Sequence, residues 1–167
     1  MNRMYYDSPL GRLLLESSGG YLTGLWLNKA QPEQPELPDP VLQQTVCWLN
    51  SYFRKEALPM LPPMKPEGTD FQKQVWQQLL TIPWGKTRTY GELAGEMARI
   101  LGKEKMSAQA IGQAVGRNPI SILIPCHRVV GAKGQLTGYA GGLENKIRLL
   151  QQEGWTIRNN LILITKE

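Results

Sequence analysis

Residues 118–128 read Asn-Pro-Ile-Ser-Ile-Leu-Ile-Pro-Cys-His-Arg. The apolar β-type run Ile120 to Ile124 is closed by Pro125, which has no N–H to give a sheet ladder. This spacing predicts a strand that ends at Pro125 and presents Cys126 at a strand-to-loop edge. A reactive thiol needs partial access and a positive neighbourhood, and His127 and Arg128 follow at once. The competing reading is a buried structural cysteine beside a solvated His-Arg pair, the commoner fate of a free Cys.

Working outward, Gly131 to Gly134 predict a hairpin-type turn, and Gly138, Gly141 and Gly142 bracket Tyr139 and Ala140. Such a glycine-rich loop lets backbone amides and a ligand approach closely. Leu143 opens a helix with Ile147, Leu149 and Leu150 apolar, stopped near Glu153-Gly154. The tail, 155–167, ends in an apolar run that pairs as a final strand. Upstream, Ser107 caps a helix Ala108–Gly116 whose exposed face is read as Ala108, Ala110, Gly112 and Ala114. Thr89 caps a helix from Tyr90 to about Met97, and a loop with Gly102, Lys103 and Lys105 joins the two. Two short helices around a Gly-containing turn resemble a helix-turn-helix, a weak signal alone. Before them, Thr69 or Asp70 caps a helix with Phe71, Val75 and Leu79 on one face.

Residues 57–68 hold four prolines and a glycine and break any periodic element. Ahead of them, 2–7, 11–16 and 21–27 predict a three-strand antiparallel meander, with turn residues at Ser8-Pro9 and Ser17–Gly20. Asp39 and Pro40 open a helix carrying Val41, Thr45, Leu49 and Phe53. Cys47 lies in that helix without a nearby His or basic cluster and is read as packing.

The 167 residues suffice for one domain or two small ones, and 41% hydrophobic with 20% charged residues is ordinary globular composition. No stretch approaches the ~18 apolar residues of a membrane span, and the first ten residues lack a signal-type apolar core. Two cysteines indicate no disulfide framework, and one histidine without a C-x-x-C pair leaves no zinc set. A cytoplasmic, cofactor-free protein is expected. Residues 1–69 carry 6 Lys and Arg against 7 Asp and Glu, whereas 70–167 carry 13 against 7. The positive field belongs to the second part, as in a phosphate-backbone binder or a merely solvated surface.

Taken together, IPWGKTRTYGELA, AIGQAVGRNPISILIPCHRVVG and LTGYAGGLENKIRLLQQEG closely resemble the O6-alkylguanine-DNA alkyltransferase family, in order and spacing, over residues 69–154. The resemblance implies an α/β protein. A small ribonuclease-H-like α/β unit would span 1–62 and a linker 63–68. A mainly helical alkyl-transfer domain with a winged helix-turn-helix would span 69–154, and a tail 155–167. It implies direct-reversal repair, in which an alkyl group leaves O6 of guanine (O4 of thymine being a second candidate) for the protein's own cysteine. The partner implied is double-stranded DNA carrying alkylated guanine, bound through the minor groove by a monomer, with no membrane and no metal.

By the same resemblance Cys126 is the nucleophile, His127 its base through a bridging water, and Glu153 the carboxylate that orients His127. A strand would point Cys126 and His127 to opposite faces, which argues against direct contact. Asn118 ties the recognition helix to the active-site turn, and Tyr90 rotates the nucleotide and donates toward the leaving base. Base and DNA contacts fall to Tyr90, Ala108, Gln109, Ala110, Arg128, Val129, Tyr139, Ala140 and Lys146. The chain departs from the family in four places. Gln109 replaces an arginine, Ala140 replaces a serine, the turn between the helices is longer, and a single His excludes the zinc site of some relatives. Two other readings remain at this stage: a non-catalytic lesion sensor, and a small cysteine hydrolase resting only on Cys126 and His127.

Overall fold

The computed structural model describes residues 1–27, 32–139 and 141–163. The chain divides into two compact units, one of residues 1–67 with 119–123, the other of 68–118 with 124–167.

In the first unit, strands β1 (Asn2–Ser8), β2 (Gly11–Ser18) and β3 (Tyr21–Leu27) form the expected antiparallel meander, with Tyr6 opposite Leu13 and Leu15 opposite Leu25. Leu13, Leu15, Leu22 and Leu25 are fully buried beneath helix α1 (Pro40–Phe53), which contributes Leu42, Trp48, Leu49 and Tyr52. Asp39 Oδ1 caps α1 by accepting from the Leu42 amide at 2.8 Å, with Pro40 in the first turn where its missing N–H costs nothing. The edge of β3 not taken by β2 is covered twice by proline-containing segments. Leu22 N donates to Pro63 O at 2.8 Å, and Leu25 N to Pro119 O at 2.9 Å. Both prolines serve as acceptors, the only backbone role open to them.

The run Ile120–Ile124 is not a strand. Only Ile120 pairs, in a single parallel bridge to Leu25, after which the chain turns at 121–123 with Ile122 at φ +70°. The four apolar side chains are all buried. Burial on every side is the property a short apolar run reports, and a buried turn satisfies it as well as a strand does.

The second unit is built on helices α2 (Asp70–Leu79), α3 (Tyr90–Leu101), α4 (Ala108–Gly116) and α5 (Leu143–Gln152). Thr69 and Thr89 each close a capping box, with Gln72 and Glu92, and Ser107 caps α4. Gly102, left-handed at φ 67°, ends α3 one turn beyond the expected stop. Val75, Leu79, Leu93, Met97 and Ile111 are fully buried between these helices, and the Trp76 indole donates to Ala114 O at 2.8 Å. Ala114 thus belongs to the core and not to the exposed face assigned to it. Residues at i and i+2 do not share a helical face, so the sequence 108, 110, 112, 114 could not stay on one side.

Strand β4 (Arg88–Thr89) pairs in parallel with β5 (Val129–Val130). The expected turn at 131–134 is present as a tight turn, Ala132–Gly134, closed by Gly131 N donating to Gln135 O at 2.7 Å, and it leads into an irregular loop. The tail forms its own hairpin, β6 (Ile157–Arg158) against β7 (Leu161–Ile162). It turns at Asn159 and Asn160, both at positive φ as a two-residue hairpin requires. Residues 164–167 lie outside the described residues. No described helix is long and apolar enough to cross a membrane.

Candidate active site

Cys126, His127 and Arg128 form a 3-10 turn, not a strand end. Cys126 N donates to Ile124 O at 2.7 Å and Arg128 N to Pro125 O at 3.0 Å. Asn118 Nδ2 donates to Ile124 O at 2.9 Å, closing the excursion between α4 and the turn. In a three-residue turn successive side chains diverge by about 120°, so the opposite-face argument for Cys126 and His127 does not apply. All three residues are buried, Cys126 at 2% exposure, where partial access was expected.

Behind the thiol lies a closed ionic cluster. His127 Nε2 stands 2.6 Å from Glu153 Oε2. Arg128 grips the same carboxylate with both arms, Nε to Oε1 at 2.7 Å and Nη2 to Oε2 at 3.0 Å, while Nη1 donates to Ile82 O at 2.6 Å. Glu153 sits just past the last turn of α5 and is 1% exposed. Burial pushes its carboxyl up, but His127 and Arg128 outweigh that and hold it at about 2. Burial pushes His127 down, against the pull of Glu153, so the imidazole is neutral at pH 7. His127 Nδ1 is buried and meets no hydrogen-bonding partner among the described residues. Arg128, assigned by resemblance to the DNA surface, has its guanidinium committed to Glu153 and Ile82.

In front of the thiol a cavity of about 600 Å³ is lined by Cys126, Tyr90, Thr137, Gly138 and Tyr139 together with one face of α4. Ala108, Gln109, Gly112, Gln113 and Gly116 supply that face, which follows the helical period. Burial pushes the Cys126 thiol up; the nearby Asn118 and Tyr139 side chains and the charge of Lys146 pull the other way. Lys146 is fully buried, and desolvation lowers its ammonium to about 8. Its Nζ lies 5.7 Å from the Tyr90 ring centroid and 3.5 Å from Thr137 O. Tyr90 itself is pushed up by burial, with the nearby Thr137 side chain pulling the other way.

Thus Cys126, Tyr90, Ala108, Gln109 and Tyr139 meet at one cavity, with Asn118 and Lys146 acting on the thiol and His127 and Glu153 behind it. Ala110 is half-buried on α4, and Val129 is fully buried in β5. Neither is among the lining residues, and Ala140 lies outside the described residues. Thr137, Gly138, Gly112 and Gln113 line the cavity without having been singled out as contacts. For Thr137 and Gly138 the available signal was adjacency to Tyr139 in the glycine-rich loop.

Among known proteins, the family described as 6-O-methylguanine DNA methyltransferase, DNA binding domain, matches residues 70–155. A methylated-DNA–protein-cysteine methyltransferase of Mycobacterium tuberculosis is 44% identical over 151 residues, covering 88% of each chain. One of Haemophilus influenzae is 45% identical over 157 residues, 89% of this chain and 84% of that protein. The crystal structure of Mycobacterium tuberculosis OGT in complex with DNA superposes with a TM-score of 0.78 at 43% identity, over 92% of both chains. An O6-methylguanine DNA methyltransferase from Methanococcus jannaschii gives 0.65 at 29% identity, over 97% of both.

Proposed function

The chain belongs to the methylated-DNA–protein-cysteine methyltransferase family, and on that premise we propose that it repairs O6-alkylguanine in duplex DNA by taking the alkyl group onto Cys126. The observation that carries this reading is a buried thiol lining a cavity of about 600 Å³, beside the His127–Glu153–Arg128 cluster.

The chemistry is displacement at a saturated carbon. The sulfur–carbon bond forms as the carbon–O6 bond breaks, and the electron pair goes to the guanine ring. The nucleophile must be a thiolate, and the departing base must be protonated. With its Nε2 proton directed at Glu153, His127 presents Nδ1 as an acceptor, and a water relays the Cys126 proton to it. The imidazolium so formed is stabilised by Glu153, which is ionised throughout the neutral range. Arg128 orients that carboxylate and does not touch DNA. Tyr90 donates toward the leaving base, with Tyr139 and Lys146 completing the pocket. The thioether has no exit, so each molecule reacts once.

A base inside a duplex cannot reach Cys126, so the nucleotide must rotate out. The small exposed residues of α4, Ala108 above all, suit close approach to a minor groove. On this reading α3 and α4 form the helix-turn-helix of the winged motif that the resemblance implies. The domains are a ribonuclease-H-like unit at 1–62, a linker at 63–68, the transfer domain at 69–154 and a tail at 155–167. The protein acts as a cytoplasmic monomer.

Intact-protein mass before and after mixing with excess duplex bearing one O6-methylguanine tests the proposal. The expected result is one added methyl per chain, mapped to Cys126. No gain with binding intact makes the protein a lesion sensor. Gln109 is exposed on the cavity-lining face of α4. Gln109→Arg should therefore tighten duplex binding by about threefold to tenfold at low salt and steepen the salt dependence, through one added phosphate-range charge. Anisotropy titrations at two salt concentrations read this; an unchanged affinity places residue 109 outside the duplex.

A further inference from the structure

The loop that closes the cavity is held from outside the cavity. Between the 3-10 turn at Ala132–Gly134 and the start of α5 at Leu143, the described residues form no helix and no strand. A loop of this kind carries Thr137, Gly138 and Tyr139, which line the cavity. Left to itself such a segment samples many conformations, and each one frozen in place costs entropy. The β6–β7 hairpin removes that freedom at three consecutive positions. Gly134 packs against β7 so closely that a Cβ there would lie 2.6 Å from Ile162 Cγ2 and 2.9 Å from Ile162 O, and its φ is +80°. Gln135 bridges Leu161. The Leu136 amide donates to Asn160 O at 2.8 Å. The Leu136 side chain then joins Val130, Leu150 and Ile162 in a buried apolar cluster, with Trp155 and Ile157 packed on it.

The next residue is Thr137, which lines the cavity with Tyr90 and whose carbonyl accepts from the Lys146 ammonium at 3.5 Å. The family match ends at residue 155, so both strands of the hairpin lie beyond it.

We propose that the β6–β7 hairpin is a positioning clamp for the transfer reaction, its anchors at Asn160 and Ile162 fixing residues 134–136 so that Thr137 and Tyr139 stand in place before a base enters. The inference rests on the alkyl-transfer reading, and it assigns the hairpin to the chemical step. Duplex affinity belongs to α4, whereas the hairpin holds residues 134–136. A misplacement of pocket groups by a fraction of an ångström is felt in rate long before it is felt in fold.

The test is single-turnover transfer with Ile162→Ala and Ile162→Val, read as the maximal rate at saturating O6-methylguanine duplex and the half-saturating duplex concentration. Ile162→Ala should lower the maximal rate about tenfold and leave half-saturation within about twofold, because pocket geometry has been loosened and the DNA face has not. Ile162→Val, which keeps the branched contact with Gly134, should restore the rate to within about twofold of the parent. An unchanged maximal rate for Ile162→Ala overturns the proposal, as does a loss confined to half-saturation or a Val variant as slow as the Ala variant. Hydrogen exchange on the unmodified protein decides independently of any variant's folding. The Leu136 amide should exchange as slowly as the Val130 amide in β5, and rapid exchange at Leu136 means the hairpin does not hold the loop. A parent protein that transfers no methyl group refutes the alkyl-transfer reading instead, and the exchange result then judges the clamp alone.

Discussion

Cys126→Ala abolishes alkyl transfer while duplex binding stays within about twofold of the parent, since the change removes a nucleophile and no surface charge. Cys126 lines the cavity, whereas the second cysteine, Cys47, is exposed on α1 in the other unit and is not among the lining residues. No other thiol can receive the alkyl carbon in that position. The fold should tolerate the change, because a buried thiol replaced by a methyl loses one heavy atom and costs on the order of 1 kcal/mol. The ionic cluster behind it, His127–Glu153–Arg128, keeps every protein partner it has. Intact mass after incubation with lesion duplex, read beside an anisotropy titration, separates the two properties. Any residual methyl gain in the variant moves the chemistry to Cys47 and ends the assignment to Cys126. A collapse of binding would mean instead that the thiol site and the DNA face cannot be separated.

The parts of the structure that were legible in the sequence are those where local chemistry decides. Asp39 with Pro40, Thr69 (with Asp70 as the alternative), Thr89 and Ser107 each mark a helix start by side-chain capping, and the helices begin there, with Thr69 as the cap of α2. The meander was legible because polar turns separate short apolar stretches. What failed was inference about direction where everything is buried. The run 120–124 has no polar alternation to tell strand from turn, and its one pairing, to Leu25, is set by tertiary contact. The error carried over to Cys126, whose surroundings were deduced from a strand end that does not exist. Arg128 was misread for a related reason. The resemblance gave this cation to the DNA surface, and only the return of α5 brings Glu153 to it from 25 residues away. The cavity loop was found through its glycines, but what holds it, the turn at Asn159-Asn160 and the contact of Gly134 with Ile162, depends on distance in space.

Glu153→Gln should be the most damaging conservative change outside the thiol. Gln keeps the shape but loses the charge that two buried groups share. Arg128 would keep Ile82 O and, at best, one neutral amide oxygen, and either its Nε or its Nη2 together with His127 Nε2 would face an amide N–H in place of an oxygen. Removing one partner from a buried ion pair costs about 3–5 kcal/mol, because the remaining charge stays desolvated. Transfer should slow by about 100-fold, since His127 loses both its orientation and the counter-charge for its protonated form. The pH dependence follows from the direction of the shift. Glu153 is lowered from 4.5 to about 2 in the folded protein. Its contribution to stability is therefore complete above about pH 4.5 and is lost as pH falls from there toward 2. His127 is also lowered on folding, so the parent begins to lose stability from its unfolded value of 6.5 downward, and the variant shares that loss. Urea unfolding of both proteins at pH 7 and pH 3 reads the difference. The gap should be several kcal/mol at pH 7 and should narrow at pH 3 as the parent's carboxylate loses its advantage. A gap below about 1 kcal/mol at pH 7 would make the cluster no stronger than a surface pair. A gap that survives unchanged at pH 3 would show that the loss comes from packing and not from the charge of Glu153.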